Sequence, residues 1–297
     1  MTHPGPRAEA IDRSVPFVDT HHHLWELDRL PYAWLQAEDP DEARVLGDYR
    51  MIRADWGPDR LFREFHGQRV TATVHVEAAM SGPDPVAETV WLDGVARSHG
   101  YPNALVVGCD LRAHDVEAVL DRHLAASDRV RGIRMRATGD PDDAAFQRGF
   151  AALASRGLSY DLDAVEVGRD IARRHPDTQI ILGHAGAPYV RTREAFEAWS
   201  KAIEVLAGPE NVACKVSGLG MGDHHWTVES IRPWVLRCIE AFGVERTMFG
   251  TNWPVDLLYA PYAEQVDAYR LILVEAGLDE ADQHRLLHGN AERLYRI

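Results

Sequence analysis

Two histidines one residue apart, His21 and His23, follow the short apolar run Phe17-Val18-Asp19-Thr20. In extended backbone, residues i and i+2 point to the same side, so two imidazoles at this spacing can hold one divalent ion. His22 between them faces away and reads as structural. A further histidine, His184, ends the run Gln179 to His184, where the flanking Gly183 and Gly186 let backbone and ligand approach closely. It can serve as another metal ligand, a proton shuttle or a polariser of a carbonyl oxygen. Arg134 and Arg136 repeat the i, i+2 spacing, and a guanidinium is suited to gripping a carboxylate, unless a local acid claims it first. Lys215 lies in the apolar run Val212 to Ser217. A buried lysine costs free energy unless paired or used, so it points into an interior or a site, or snorkels out at the far end. His75, a candidate substrate contact, and Glu77 close the run Val70 to Val76. Asp161 and Asp163 are acidic candidates, although Asp163 could equally cap the helix that follows.

Something must bring these residues together, and the rhythm of the chain supplies it. Short apolar runs ending in polar residues alternate with helical periodicity, as βα units do. Eight strands are predicted: Phe17 to Thr20, Val70 to Val76, Ala104 to Gly108, Val130 to Arg134, Leu158 to Leu162, Gln179 to His184, Val212 to Ser217 and Thr247 to Asn252. Predicted helices include Ala87 to His99, Asp115 to Ala126, Ala164 to His175, Arg193 to Ala207, Ile231 to Phe242 and Ala263 to Ala276. Eight such units favour a closed (β/α)8 TIM barrel over a doubly wound sheet, and the GxGxxG turn of the latter is missing. The expectation is one domain over residues 1–297, with an elaborated region at about 24–60 covering the mouth, where the strand ends converge.

Composition narrows the partners. The 297 residues carry 46 Asp and Glu against 32 Lys and Arg, a formal charge of −14 that repels phosphate backbones and anionic membranes, so a small molecule is the expected partner. Cys109, Cys214 and Cys238 are far apart and suggest neither a disulfide framework nor a thiolate metal site. Met1 to Arg13 lacks the apolar segment of a secretory signal, and no apolar run approaches the ~20 residues of a membrane span, so a cytoplasmic location is expected. A homodimer would be common for a barrel enzyme, but no residue here specifies one.

Taken together, Val18-Asp19-Thr20-His21-His22-His23-Leu24-Trp25, Gly132-Ile133-Arg134, Ile181-Leu182-Gly183-His184-Ala185-Gly186, Lys215-Val216-Ser217-Gly218-Leu219, Met248 to Val255 and Gly289 to Tyr295 resemble the amidohydrolase-related family, closest to its sugar-lactonase branch of fuconolactonase-like and sulfomuconolactonase-like enzymes. The likeness runs in order over nearly the whole chain. It implies a distorted, amidohydrolase-like barrel that opens an ester, lactone or amide by water attack, with metal ligands at His21 and His23, a functional histidine at His184, and an Asp after the eighth strand. That last position holds Asn252, which cannot act as a general base or an anionic ligand. The cofactor implied is therefore one zinc or manganese ion on His21, His23 and His184, or none, since some lactonases of this superfamily work without metal. Asp256, four residues on, could supply the missing carboxylate. The expected reaction is opening of a small sugar-acid or muconolactone-type lactone, with His184, Lys215, Asn252 and Asp256 at the chemistry, and Trp25 and Trp253 packing against the ring. A metal-dependent decarboxylase and a barrel that only binds a small acid or sugar are the alternatives.

Overall fold

The computed structural model describes residues 11–136 and 140–297. Most of the N-terminal stretch expected not to be a leader, residues 1–10, lies outside them. Eight strands form one parallel sheet in sequence order: β1 (Phe17–His22), β2 (Val70–Val76), β3 (Ala104–Gly108), β4 (Val130–Arg134), β5 (Ser159–Leu162), β6 (Ile180–Leu182), β7 (Val212–Val216) and β8 (Thr247–Phe249). Between β1 and β2 lie three short helices, α1 (Ala33–Gln36), α2 (Pro40–Leu46) and α3 (Pro58–Glu64). The outer layer follows as α4 (Ala87–His99), α5 (Val116–Ala126), α6 (Ala144–Ser155), α7 (Val165–Arg174), α8 (Arg193–Leu206), α9 (Val228–Phe242) and α10 (Tyr262–Glu275). The described chain ends in α11 (Glu280–His284) and α12 (Asn290–Tyr295). This is the (β/α)8 barrel of the sequence reading. Among the described residues no helix is long and apolar enough to cross a membrane.

The ring closes at the β8/β1 seam, mostly without a regular ladder. Thr20 Oγ1 donates to the Phe249 carbonyl at 2.6 Å, Asn252 N–H to the His21 carbonyl at 2.7 Å, and His23 N–H to the Trp253 carbonyl at 2.7 Å. The Asp19 carboxylate completes the seam by accepting from both N–H and Oγ1 of Thr251, at 2.9 and 2.7 Å.

Alternation along the strands decides what faces inward. Val18, Val74, Val76, Ala104, Val106, Ile181, Ala213 and Met248 pack together inside the barrel, where Ala291, Leu294 and Tyr295 of α12 join them. Phe17, Leu105, Ile133, Tyr160, Leu182, Cys214 and Phe249 face the helical layer instead. Inward parity therefore falls on Arg134, Asp161 and Lys215. His75, between the inward Val74 and Val76, points outward. A third apolar cluster of Trp25, Tyr32, Leu35, Leu46, Tyr49, Ile52, Ala78, Met221 and Val255 anchors the α1–α2 region over the mouth.

Two differences from the sequence reading matter for the site. β6 stops at Leu182 and β8 at Phe249, earlier than predicted, because His184 (φ 48°), Ala185 (φ 53°) and Asn252 (φ 55°) are left-handed and cannot continue a strand. Such backbone is costly for residues with a Cβ and concentrates at functional sites.

Candidate active site

A cavity of about 290 Å³ opens at the C-terminal ends of the strands under the α1–α2 region. Its lining includes His23, Arg134, Arg136, Asp163, His184 and Asn252 from the sequence reading, together with Trp34, Asp41, Glu42 and Tyr189.

His23 and His184 line its floor, and His21, which does not line the cavity, packs against both rings. The His21 ring lies 5.0 Å from that of His23, edge-on, and 4.2 Å from that of His184, tilted by 37°. It is buried, and neither of its nitrogens has a hydrogen-bond partner among the described residues. Burial, reinforced by the nearby His184, Lys215, His23 and Arg134, pushes its pKa well below the usual range, so the ring is neutral. The same holds for His23, through burial and then Arg134. His23 Nδ1 sits 2.8 Å from the Val76 carbonyl, which can only accept, so Nδ1 carries the proton and Nε2 offers a lone pair. His184 Nδ1 lies 3.0 Å from Ser217 Oγ. Burial drives the His184 pKa to about 4 against the opposing pull of Asp163. Gly218, itself at φ +64°, makes room for this ring, because a Cβ there would come within 2.5 Å of His184 Nδ1.

Both arginines are already engaged. Arg134 donates from Nε to Glu77 Oε1 at 2.7 Å and from Nη2 to the Glu77 carbonyl at 2.8 Å, while Nη1 lies 3.7 Å from Asp163 Oδ2. Arg136 Nη2 donates to Glu42 Oε1 of α2 at 2.7 Å, tying the strand end to the cover over the mouth.

Asn252 Nδ2 donates to Asp256 Oδ1 at 2.8 Å, and Gly220 N–H approaches Asp256 Oδ2 at 3.3 Å. Burial raises the Asp256 carboxyl to about 7, against those two hydrogen bonds and Arg191. The turn at Val255–Leu258 places Asp256 behind Asn252 and outside the cavity lining, so it does not stand where the missing carboxylate was expected. An Asp at position 252 would meet this second carboxyl, so the amide and Asp256 form a matched pair.

Other expected site residues stand elsewhere. Lys215 is fully buried and donates to Asp161 Oδ2 (2.7 Å), Tyr295 Oη (2.9 Å) and the Thr20 carbonyl (3.2 Å), one layer beneath the cavity. All three of its protons are thereby used within the protein. His75 Nε2 accepts from Leu24 N–H at 2.9 Å on the outer face of β2. Trp25 is buried, donates to the Ala54 carbonyl and packs edge-on against Trp34, which is the tryptophan that reaches the cavity. Trp253 is buried against Trp56. Asp163 shares inward parity with Asp161, and α7 starts from Ala164 with no side-chain cap, so the capping reading of Asp163 does not hold. The i, i+2 spacing of the two aspartates was the signal for it.

An eight-stranded parallel barrel with this histidine floor defines the class, and residues 18–297 match the sequence profile of the family described as Amidohydrolase. The chain belongs to that family. It is 38% identical to an uncharacterized protein, y4mH, of Sinorhizobium fredii, covering 95% of this chain and 99% of that one. It is 31% identical to an L-fucono-1,5-lactonase of Burkholderia multivorans, covering 94% and 96%. Among solved structures, an amidohydrolase from Burkholderia multivorans with bound zinc superposes with a TM-score of 0.79 at 29% identity, covering 95% of this chain and 99% of that one.

The donors here are of the right type for zinc, being neutral imidazoles, but their arrangement is not that of a metal site. Among the described residues no three His, Cys, Asp or Glu side chains converge on one point. His21 and His184 meet ring against ring, and the amide of Asn252 is turned to Asp256. As arranged, His21, His23 and His184 do not fit a tightly held ion.

Proposed function

We propose that this protein hydrolyses the ring ester of a small, uncharged lactone of the polyhydroxy sugar-acid type. The observation that carries the reading is the charge balance of the cavity. Its two cations, Arg134 and Arg136, are each already paired with a glutamate, and the lining adds the carboxylates of Asp41 and Asp163 to that of Glu42. No uncompensated cation is left among the described lining residues for a carboxylated substrate, whereas hydroxyl groups would find both donors and acceptors. The volume sits at the lower end of small-molecule sites, ~300–1,000 Å³, as suits a single ring. The similarity to an L-fucono-1,5-lactonase supports the same chemistry.

In this reading the ring carbonyl oxygen lies toward His184. On the same reading, neutral His184 carries its proton on Nε2, beside the Nδ1 that lies 3.0 Å from Ser217 Oγ, and presents it to the oxygen, while Arg134 Nη1, without a hydrogen bond among the described residues, is a second donor. Donors preorganised in a buried site act on the charge that develops as water attacks. His23 Nε2, an acceptor, holds a substrate hydroxyl or the water itself. Trp34 and Tyr189 flank the ring.

The test is a pH-indicator hydrolysis screen of neutral aldonolactones against carboxylated lactones, with and without chelator. The expected result is turnover of neutral lactones that survives chelation, with carboxylated ones at least about tenfold slower, a difference of ~1.4 kcal/mol. A preference for carboxylated lactones, or no turnover of any, would overturn the reading.

A further inference from the structure

Water is a poor nucleophile until a base takes its proton, and the position after the eighth strand, where the family resemblance calls for an Asp, holds an amide. We infer that Asp163 is the proton acceptor of this site, a reading that rests on the lactone hydrolysis proposed above.

The geometry singles it out among the carboxyl groups near the cavity. Asp256 lies behind Asn252 and does not line it. Glu42 accepts from Arg136, and Asp41 pairs with Arg44 at 3.0 Å on the exposed side of α2. Asp163 alone lines the cavity with neither oxygen in a hydrogen bond or in an ion pair as close as that of Asp41 among the described residues. Oδ1 is buried without a partner, and Oδ2 stands 3.7 Å from Arg134 Nη1, beyond hydrogen-bond reach. A buried carboxylate oxygen without a partner is costly in a resting protein, and a water or substrate hydroxyl entering the cavity would satisfy it.

The chain makes room for this placement. Gly183, just before His184, carries no side chain where a Cβ would come within 2.5 Å of Asp163 Oδ1. Burial alone would raise the carboxyl's pKa, but Arg134, with Lys215 and Arg136, outweighs it and holds the carboxyl below its usual value, ionised at neutral pH. It therefore rests in the form that accepts a proton.

The step balances without a further reactant. Asp163 takes one proton from the attacking water as its oxygen bonds to the carbonyl carbon. The ring C–O bond then breaks, and the proton passes from Asp163 to the departing alkoxide, leaving the hydroxy acid. Arg134 lies beside Asp163 and donates to the carbonyl oxygen, so attack and charge stabilisation fall on neighbouring groups.

The test compares wild type, Asp163→Asn, Asp163→Ala and Gly183→Ala on the best neutral lactone of the screen. Asp163→Asn should lose about 10²–10⁴ in kcat, with KM changed by less than about threefold. Formate should restore part of the lost turnover to Asp163→Ala, by placing a small carboxylate in the vacated space, and should leave wild type unchanged. Gly183→Ala, which crowds the carboxylate while keeping it, should fall about tenfold or more. An active wild type with Asp163→Asn within threefold of it would overturn the assignment and leave a histidine as the base. A loss in Asp163→Asn without formate rescue of Asp163→Ala would also overturn it, since a purely structural carboxylate behaves that way. An inactive wild type would instead overturn the lactone reading, and the assignment with it.

Discussion

Replacing Asn252 by Asp, which restores the residue the family resemblance calls for, should harm this protein in a pH-dependent way. The new carboxylate would take the place of an amide whose nitrogen lies 2.8 Å from Asp256 Oδ1. Two unit charges at that separation, at an effective dielectric constant of ~20, repel by about 6 kcal/mol, comparable to the whole stability of a typical domain. The pair escapes this by sharing one proton, as close carboxyl pairs do. Asp256 already titrates near 7 because it is buried. An acid whose folded pKa is raised holds its proton when folded, so its stability contribution is full below the unfolded value near 4 and is lost as pH rises through the folded one. Asn252→Asp should therefore cost little relative to wild type at pH 5.5 and several kcal/mol at pH 9. Urea unfolding at the two pH values reads this directly. A difference between variant and wild type that stays constant across that range would refute the pairing of Asn252 with Asp256.

Removing the imidazole with His184→Ala should lower kcat by about 10²–10³ if its Nε2–H faces the carbonyl oxygen, and steady-state kinetics at saturating lactone would detect it. Lys215→Met leaves Asp161 buried without its cation and should cost about 3–5 kcal/mol in urea unfolding. Its kcat, measured well below the melting temperature, should stay within a few-fold of wild type, whereas a lysine touching substrate would lose far more. Acid should weaken the fold below pH 6.5. His21, His23 and His75 are held well below their usual pKa by burial, His22 at about 3 and His184 at about 4. Each is neutral when folded and takes up a proton on unfolding, so each costs about 1.4 kcal/mol per pH unit below 6.5. Asp19, Asp256 and Glu88, raised by burial to about 6, 7 and 8, act in the opposite sense but are fewer. The urea midpoint should be lower at pH 5 than at pH 7.5, and an equal or higher midpoint would contradict the neutral histidine floor.

The barrel was legible because buried parallel strands are apolar runs with polar ends, and β2, β3 and β4 begin and end where the sequence places them. β6 and β8 read too long because His184 and Asn252 are left-handed without being glycine, which composition does not reveal. Parity along a strand is also readable, and it brings Arg134, Asp161 and Asp163 to the inner side. Depth along the barrel axis is not. Lys215 has the parity of a site residue but stands beside Met248, a layer too deep, and its own strand contains nothing that says so. Trp25 and Trp34 were indistinguishable as ring-packing residues until the region over the mouth buried one beneath the other.

The seam between β8 and β1 ties the two ends of the barrel's sequence together across separations of 229 and 232 residues, through Thr20 with Phe249 and Asp19 with Thr251. Contacts this distant in sequence carry a large loop-closure cost that must be met before they reward the chain. His21 and His23 hang from one lip of that seam, and Asn252 from the other. Helices and early strand pairs can therefore form while the floor of the cavity is still in two pieces, and recovery of catalysis on refolding reports ring closure rather than secondary structure.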